Sequence, residues 1–167
     1  MSVTDHRAAS VVGVSCHVLT VSDTRTEQSD RSGPAIRDLL ERAGHLIVGH
    51  SLLPDDPVRV RAQVVELLDR GQTQAIISTG GTGVSRRDST YEALAGLIDK
   101  ELVGFGELFR MLSFQEIGSA AMLSRATAGI ARGQALFLLP GSQQAVQLAM
   151  TRLILPELGH IVAELNK

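Results

Sequence analysis

The sequence predicts an α/β fold, a three-layer domain in which a mainly parallel central sheet carries helices on both faces. Short runs of apolar and β-branched residues alternate with segments of helical periodicity, as in parallel strands joined by crossover helices. The first run, Val11–Val21, is apolar at nearly every position, which is typical of a strand covered on both faces. The last two strand-like runs lie too close together for a crossover helix, so an antiparallel edge strand is also expected.

The strands are predicted where such runs end at turn residues. They cover residues 11–21, 45–53, 74–78, 125–130 and 135–139. Arg132-Gly133 is the predicted turn between the last two. Residues 1–10 are polar and irregular, so we expect a flexible N-terminal tail before a single domain that spans residues 11–167.

Apolar residues that recur at three and four positions predict the helices, and capping residues and glycines mark their ends. The predicted helices begin near Gly33-Pro34, Pro57, Thr90, Phe105, Ser142 and Leu155. The third is expected to run to about Asp99. Ser89 and Glu92 have the spacing of a capping box, in which the serine hydroxyl caps the N-terminus of the helix.

Composition and charge exclude several classes of function. A formal net charge of −2, an aromatic fraction of 3% and the absence of Trp leave neither the basic groove nor the stacking rings of a nucleic-acid-binding protein. Cys16 is the only cysteine, so an intramolecular disulfide and a Cys-rich zinc site are excluded, and its apolar surroundings predict a buried thiol. The five histidines lack zinc spacing. The sequence contains no run of about 18 apolar residues, the length that a membrane-spanning helix needs, so the cytoplasm is the expected location.

Four segments are predicted to meet at the carboxyl ends of the parallel strands, where sheets of this kind bind their ligands. They are Ser22–Arg25, Pro54–Asp56, Thr79–Gly83 and Pro140–Ser142. The candidate ligand-binding residues within them are Ser22, Asp23, Thr79, Gly80, Gly81, Thr82, Gly83, Gly141 and Ser142.

The Thr79–Gly83 loop has three glycines among five residues. Glycine permits positive φ and close backbone approach, so successive N–H groups can point at one anion, and the threonine hydroxyls add donors. The loop matches neither G-x-G-x-x-G nor the lysine-containing P-loop. The alternative is a tight strand-to-helix turn that binds nothing, since glycine-rich turns are common.

Asp55 and Asp88 are the candidate catalytic residues. Asp56 is explained as the cap of the second helix and Ser89 as the cap of the third, which leaves Asp55 and Asp88 without a structural role. Two carboxylates from different loops that face phosphates suit Mg²⁺, which prefers oxygen ligands and keeps most of its waters. Asp88 is the predicted magnesium ligand.

A series of motifs resembles one known family in order and spacing. The motifs are Thr20–Arg25, Ser32-Gly33, Pro54–Asp56, Thr79–Gly83, Arg87–Thr90, Gly104–Arg110, Ser124–Ala126 and Pro140–Ser142. Together they resemble the MoaB/MogA family of molybdenum cofactor biosynthesis proteins, and the stretch from Gly104 to Ile117 looks more like the MoaB branch.

The resemblance implies a molybdopterin-binding-domain-like fold and an assembly as a homotrimer or a dimer of trimers. Active members of the family use Mg²⁺ and ATP to transfer AMP onto the terminal phosphate of molybdopterin, and pyrophosphate leaves. Some MoaB-branch members lack this activity, with an acidic residue lost after the second strand. Asp55 and Asp88 both match the acidic positions of the active pattern, which favours catalysis. Transient contacts with other cofactor biosynthesis proteins are a further expectation.

Two alternatives remain open at the level of the sequence. One is a non-catalytic molybdopterin-binding or scaffold protein with the same fold. The other is a related nucleotide-hydrolysing domain, whose usual larger context is absent from these 167 residues.

Overall fold

A computed structural model describes residues 10–167, which contain one six-stranded sheet. The strands are β1 (Ser15–Val21), β2 (Leu46–Leu53), β3 (Ala75–Thr79), β4 (Lys100–Glu101), β5 (Thr127–Ala131) and β6 (Gln134–Leu139). They lie in the order β2-β1-β3-β6-β5-β4. β2, β1, β3 and β6 are parallel, whereas β5 runs antiparallel to β6 and β4 antiparallel to β5. The predicted parallel sheet with an antiparallel edge is confirmed.

Helices cover both faces of the sheet. They are α1 (Ser32–Arg42), α2 (Pro57–Arg70), α3 (Thr90–Leu94), α4 (Val103–Ile117), α5 (Gln143–Ala149) and α6 (Leu155–Leu165). Successive strand residues point to opposite faces, so the strands contribute to two cores. One core lies under α1, α4, α5 and α6, and the other lies under α2 and α3.

β1 begins at Ser15, four residues later than predicted. Gly13 adopts a φ of 75° and turns the chain before the strand starts. The Val11 N–H donates to the Gly159 carbonyl of α6 at 3.0 Å, so this apolar residue packs at a helix instead of joining the sheet. Apart from Ser10, the predicted N-terminal tail lies outside the described residues.

α3 ends at Leu94, and a short 3₁₀ turn reaches only Leu97, so the helix predicted to Asp99 is shorter than expected. The chain then extends to pair with the hairpin: the Asp99 N–H donates to the Ile130 carbonyl at 2.7 Å. β4 follows at once and was not predicted. It has two exposed polar residues, too few to carry a periodic signal.

Particular residues explain two local features near the end of the chain, a hairpin turn and a π-helical segment. Arg132 and Gly133 have φ of 48° and 77°, the paired positive values that close a two-residue hairpin, and the predicted turn is confirmed. α5 and α6 are joined without a break by a π-helical segment, Met150–Ile154. Pro156 lacks an N–H and its ring would clash with the carbonyl of Arg152 in a regular α-turn, which the wider π-turn avoids.

Within residues 10–167 no helix combines the length and the apolar character needed to cross a bilayer. The cytoplasmic location stays a prediction.

Candidate functional site

The loops after β1, β2, β3 and β6 line one cleft of about 640 Å³ at the carboxyl edge of the sheet. β2 and β3 lie on opposite sides of β1, so the chain changes direction across the sheet at this edge, where the loops diverge and leave a crevice. All eleven candidate residues line the cleft: Ser22, Asp23, Asp55, Thr79, Gly80, Gly81, Thr82, Gly83, Asp88, Gly141 and Ser142. What each of them binds stays a prediction.

The glycine loop follows β3 and crosses the end of β1. Gly80 has a φ of 103°, and a Cβ there would collide with the Val21 carbonyl oxygen. Gly81 has a φ of 67°, and its Cβ would collide with Thr90 Oγ1 and lie 2.9 Å from Asp55 Oδ2. Both positions therefore require glycine for packing alone, before any ligand is considered.

The backbone of the loop still presents free donors. The Gly80 N–H donates to the Leu139 carbonyl at 3.0 Å. The N–H groups of Gly81, Thr82 and Gly83 donate to no acceptor within residues 10–167. Three successive unpaired N–H groups at a strand end are the kind of concavity that binds anions.

The predicted hydroxyl groups differ in what they are free to do. Thr79 Oγ1 donates to the Pro140 carbonyl at 2.8 Å. Ser22 Oγ accepts from the Arg25 N–H at 3.2 Å, and Ser142 Oγ accepts from the Ala145 N–H at 3.2 Å as the cap of α5. These three hydroxyls shape the cleft walls. Thr82 Oγ1 is buried and has no partner among the described residues.

Asp55 has a structural role, contrary to the prediction. Its Oδ1 accepts from the Ser89 N–H at 3.2 Å and from Ser89 Oγ at 2.6 Å. The predicted capping box is therefore wrong: the Ser89 hydroxyl donates to a carboxylate and makes no cap, because an ionised acceptor forms the stronger hydrogen bond. Glu92 pairs with Arg125 instead of returning to the start of α3. Asp56 caps α2 as predicted, because its side chain accepts hydrogen bonds from the N–H groups of Val58 and Arg59.

Asp88 has a structural role as well. Its Oδ2 accepts from the Ser85 N–H at 2.8 Å, which closes a turn after the glycine loop. A Cβ on Gly83 would lie 2.7 Å from the same oxygen, so the carboxylate lies against the loop. Within residues 10–167, Asp55 Oδ2 and Asp88 Oδ1 accept no hydrogen bond. Each acid therefore keeps one oxygen for a ligand.

Asp23 links the loops after β1 and β2. Its Oδ1 accepts from the Asp55 N–H at 2.9 Å, and its Oδ2 lies 3.4 Å from Arg87 Nε. The Arg87 side chain is 77% exposed, so this ion pair is a weak one. The main effect of Asp23 is to hold Asp55 in place.

A buried network that was not predicted ties the β1 loop to the β6 loop. Arg25 donates to the Gly141 carbonyl at 3.0 Å, to Ser32 Oγ at 3.0 Å and to Asp30 Oδ1 at 3.3 Å. Thr20 Oγ1 donates to the other oxygen of Asp30 at 2.8 Å. Asp30 also accepts from the first N–H groups of α1. An acid two residues before a helix signals a cap in the sequence, but nothing there identifies its distant partners.

Titration supports the assignment of Cys16 to the core. Burial raises the pKa of the Cys16 thiol to about 12, so it stays protonated, and the predicted buried thiol is confirmed. Burial, with a smaller effect of His50, lowers the pKa of His17. Within residues 10–167 no group of three or more His, Cys, Asp or Glu side chains could hold a metal ion by itself.

Comparison with known proteins agrees on one family. The family described as a probable molybdopterin binding domain, MoCF_biosynth, matches residues 17–160. Molybdenum cofactor biosynthesis protein B of Halalkalibacterium halodurans is 49% identical over 100% of this chain and 99% of its own length. A crystal structure of a molybdenum cofactor biosynthesis protein B has a TM-score of 0.89 at 48% identity and covers 92% of this chain and 96% of its own. The tungsten cofactor synthesizing protein MoaB from Pyrococcus furiosus has a TM-score of 0.83 at 39% identity, with 93% of this chain and 98% of its own covered.

Proposed function

The chain belongs to the MoCF_biosynth family and is a molybdenum cofactor biosynthesis protein of the MoaB type, and from this premise we propose that it binds molybdopterin and adenylylates its terminal phosphate with Mg-ATP. In this reaction a phosphate oxygen of molybdopterin attacks the α-phosphorus of ATP. The bond from the α-phosphorus to the bridging oxygen breaks, and pyrophosphate leaves. Nucleotidyl transfer of this kind depends mainly on positioning and charge stabilisation.

The observation that carries the proposal is the pair of acids beside the glycine loop. Asp55 and Asp88 flank Gly81–Gly83, and each keeps one carboxylate oxygen without a partner among the described residues. Free N–H groups and free carboxylate oxygens thus lie side by side in one cleft. That combination suits a metal-bound polyphosphate, whose oxygens accept from the N–H groups while the carboxylates face the cation.

The donor set fits Mg²⁺. One or two carboxylate oxygens, from Asp88 and Asp55, would hold it together with phosphate oxygens and water, because Mg²⁺ retains several waters and takes few protein ligands. When bound, the ion offsets negative charge that develops on the phosphates. The N–H groups of Gly81–Gly83 bind and orient phosphate oxygens in the same cleft.

A non-catalytic molybdopterin-binding role is the second candidate, and a specific observation favours it. Both Asp55 and Asp88 accept hydrogen bonds that shape the loops around the cleft. Their presence is thus explained without catalysis. Because the structure explains both acids with or without catalysis, only a measurement of activity distinguishes the catalytic from the non-catalytic role.

Pyrophosphate release separates the candidates. The purified chain is incubated with molybdopterin, ATP and Mg²⁺, and each component is omitted in turn. Release that requires all three supports adenylyl transfer. Molybdopterin binding without release supports the non-catalytic role, and release or nucleotide hydrolysis without molybdopterin supports a nucleotide-hydrolysing domain.

We also propose that the chain assembles as a homotrimer or a dimer of trimers. The support in this chain is a group of exposed apolar side chains on α4 and on the 3₁₀ turns that follow it. Its members are Leu108 (47% exposed), Met111 (51%), Phe114 (61%), Ile117 (51%), Met122 (77%) and Leu123 (51%). Several exposed apolar side chains on one short segment are typical of an interaction site, and we assign a second copy of the chain as the occupant.

A further inference from the structure

Arg125 lies behind the wall of the cleft and bonds to residues that form this wall. It stands just before β5 and does not line the cleft, although the preceding Ser124 does. Its side chain is 29% exposed. Because it cannot reach a ligand in the cleft directly, any effect of Arg125 on the site must pass through the residues that it holds.

The guanidinium of Arg125 binds both ends of the segment that carries Asp88. Its Nε and Nη2 donate to the Gly83 carbonyl at 2.9 and 2.6 Å, and Nη2 also lies 3.4 Å from the Asp88 carbonyl. The backbone N–H of Arg125 donates to the Thr82 carbonyl at 3.3 Å. One residue thus connects β5 to the last two positions of the glycine loop and to the candidate acid.

The remaining contacts of Arg125 neutralise its positive charge. Its Nη1 and Nη2 pair with the carboxylate of Glu92, and its Cζ lies 5.2 Å from the centre of the Tyr91 ring. The hydrogen bond from Arg125 lowers the pKa of Glu92, so the pair stays ionised and nearly neutral overall. Most of the five guanidinium N–H donors are therefore committed to protein acceptors. Arg125 holds the backbone; it is not a charge that attracts phosphate.

The C-terminal end of this segment is also held by its neighbours: Ser89 donates to Asp55, and the Thr90 N–H donates to the Gly81 carbonyl at 3.0 Å. The four residues Val84–Arg87 are exposed and make no part of either core. Inside the segment, Ser85 and Asp88 exchange two hydrogen bonds, which shape the turn without anchoring it. The Arg87–Asp23 ion pair is largely exposed. Arg125 is the side chain that bonds to both ends of the segment, at the Gly83 and Asp88 carbonyls.

We propose that Arg125 is a positioning residue of the cleft, which clamps the Gly83 and Asp88 carbonyls and so fixes the Asp88 carboxylate beside the glycine loop. This inference rests on the proposed adenylyl transfer for its kinetic consequence, but its structural consequence does not. A clamp needs the planar guanidinium, because a lysine ammonium is a point donor that cannot span both carbonyls and Glu92.

The test compares Arg125→Gln and Arg125→Lys with Arg61→Gln. Arg61 is a matched control, because it also donates to a backbone carbonyl of α3, Ala93 at 3.0 Å, yet contacts no residue of the Gly83–Asp88 segment. In both Arg125 variants we expect the Ser85 and Asp88 amides to exchange hydrogen about tenfold faster. We expect kcat to fall about 10- to 100-fold while KM for ATP stays within about twofold. Arg61→Gln should leave all three quantities near wild type.

The outcomes separate this inference from the proposed function. If the wild-type chain releases no pyrophosphate, the proposed function fails, and the exchange rates alone decide on Arg125. If the wild type is active and the Arg125 variants match it in exchange and kcat, the clamp is overturned. Full recovery in Arg125→Lys would also overturn it, because charge alone would then suffice. Should Arg125→Gln fail to fold, Arg125→Lys, which keeps the Glu92 pair, carries the test.

Discussion

Gly81 shows how closely backbone and side chains meet at the end of β3. A Cβ there would collide with Thr90 and approach Asp55, while Gly71, with a similar φ of 62°, has nothing within 4 Å of that position. Gly71→Ala thus measures the cost of positive φ alone, about 1 kcal/mol, and Gly81→Ala adds the collision, for a total of about 2–4 kcal/mol. Urea denaturation measures both free energies of unfolding. Equal losses in the two variants would show that the loop can shift to admit a side chain.

Asp88 is the residue on which the proposed catalysis is best tested. Asp88→Asn keeps an oxygen that can accept from the Ser85 N–H but removes the charge that faces the cleft. We expect turnover to fall about 100-fold or more, equivalent to about 2.7 kcal/mol of transition-state stabilisation, with little change in unfolding free energy or molybdopterin affinity. Pyrophosphate release and calorimetric binding give these quantities.

The control for Asp88 is Asp56→Asn. Asp56 also accepts from backbone N–H groups, those of the first turn of α2, but does not line the cleft, and Asn is an equally good cap. It should retain both activity and stability. Normal turnover in Asp88→Asn would refute the catalytic assignment and leave Asp88 as a residue of the turn.

At the scale of elements, the start of α2 depends on one side chain. Asp56 Oδ1 accepts from the Val58 N–H at 2.9 Å and the Arg59 N–H at 3.1 Å, ahead of a proline at the first helical position. Asp56→Ala should lower the free energy of unfolding by about 1 kcal/mol. Asp38→Ala removes only an exposed pair with Arg42 within α1 and should cost no more than about 0.5 kcal/mol. A loss in Asp56→Ala as small as that in Asp38→Ala would mean that water replaces the cap.

At the scale of the whole molecule, the exposed apolar side chains of α4 and the following 3₁₀ turns are the predicted contact between copies. Phe114→Glu places a charge among these side chains and should reduce a trimer or hexamer to monomers without altering circular dichroism. Val58→Glu is the control, because Val58 is a single exposed apolar residue on α2 (76% exposed). Sedimentation velocity at micromolar concentration measures the oligomeric state of the wild type and both variants. A wild-type chain that sediments only as a monomer would contradict the predicted assembly.

Local patterns in the sequence determined most elements of this fold. β-branched runs and apolar recurrences at three and four depend on neighbouring residues only, so they predict strands, helices and the Arg132-Gly133 turn. The same locality explains why the carboxyl ends of the strands could be identified as the candidate site. All of the residues selected there line one cleft, because parallel strands end at one edge of their sheet.

What only the tertiary structure decided is the partner of each polar side chain. Ser89 lies at the right spacing for a cap, yet Asp55, distant in the chain, is the acceptor of its hydroxyl. Arg125 and Glu92 likewise pair across 33 positions of sequence. A hydrogen bond forms with the acceptor that folding brings nearest and that carries the most charge. Spacing in the sequence does not predict such contacts, because the distances that select them exist only after the sheet has brought its loops together.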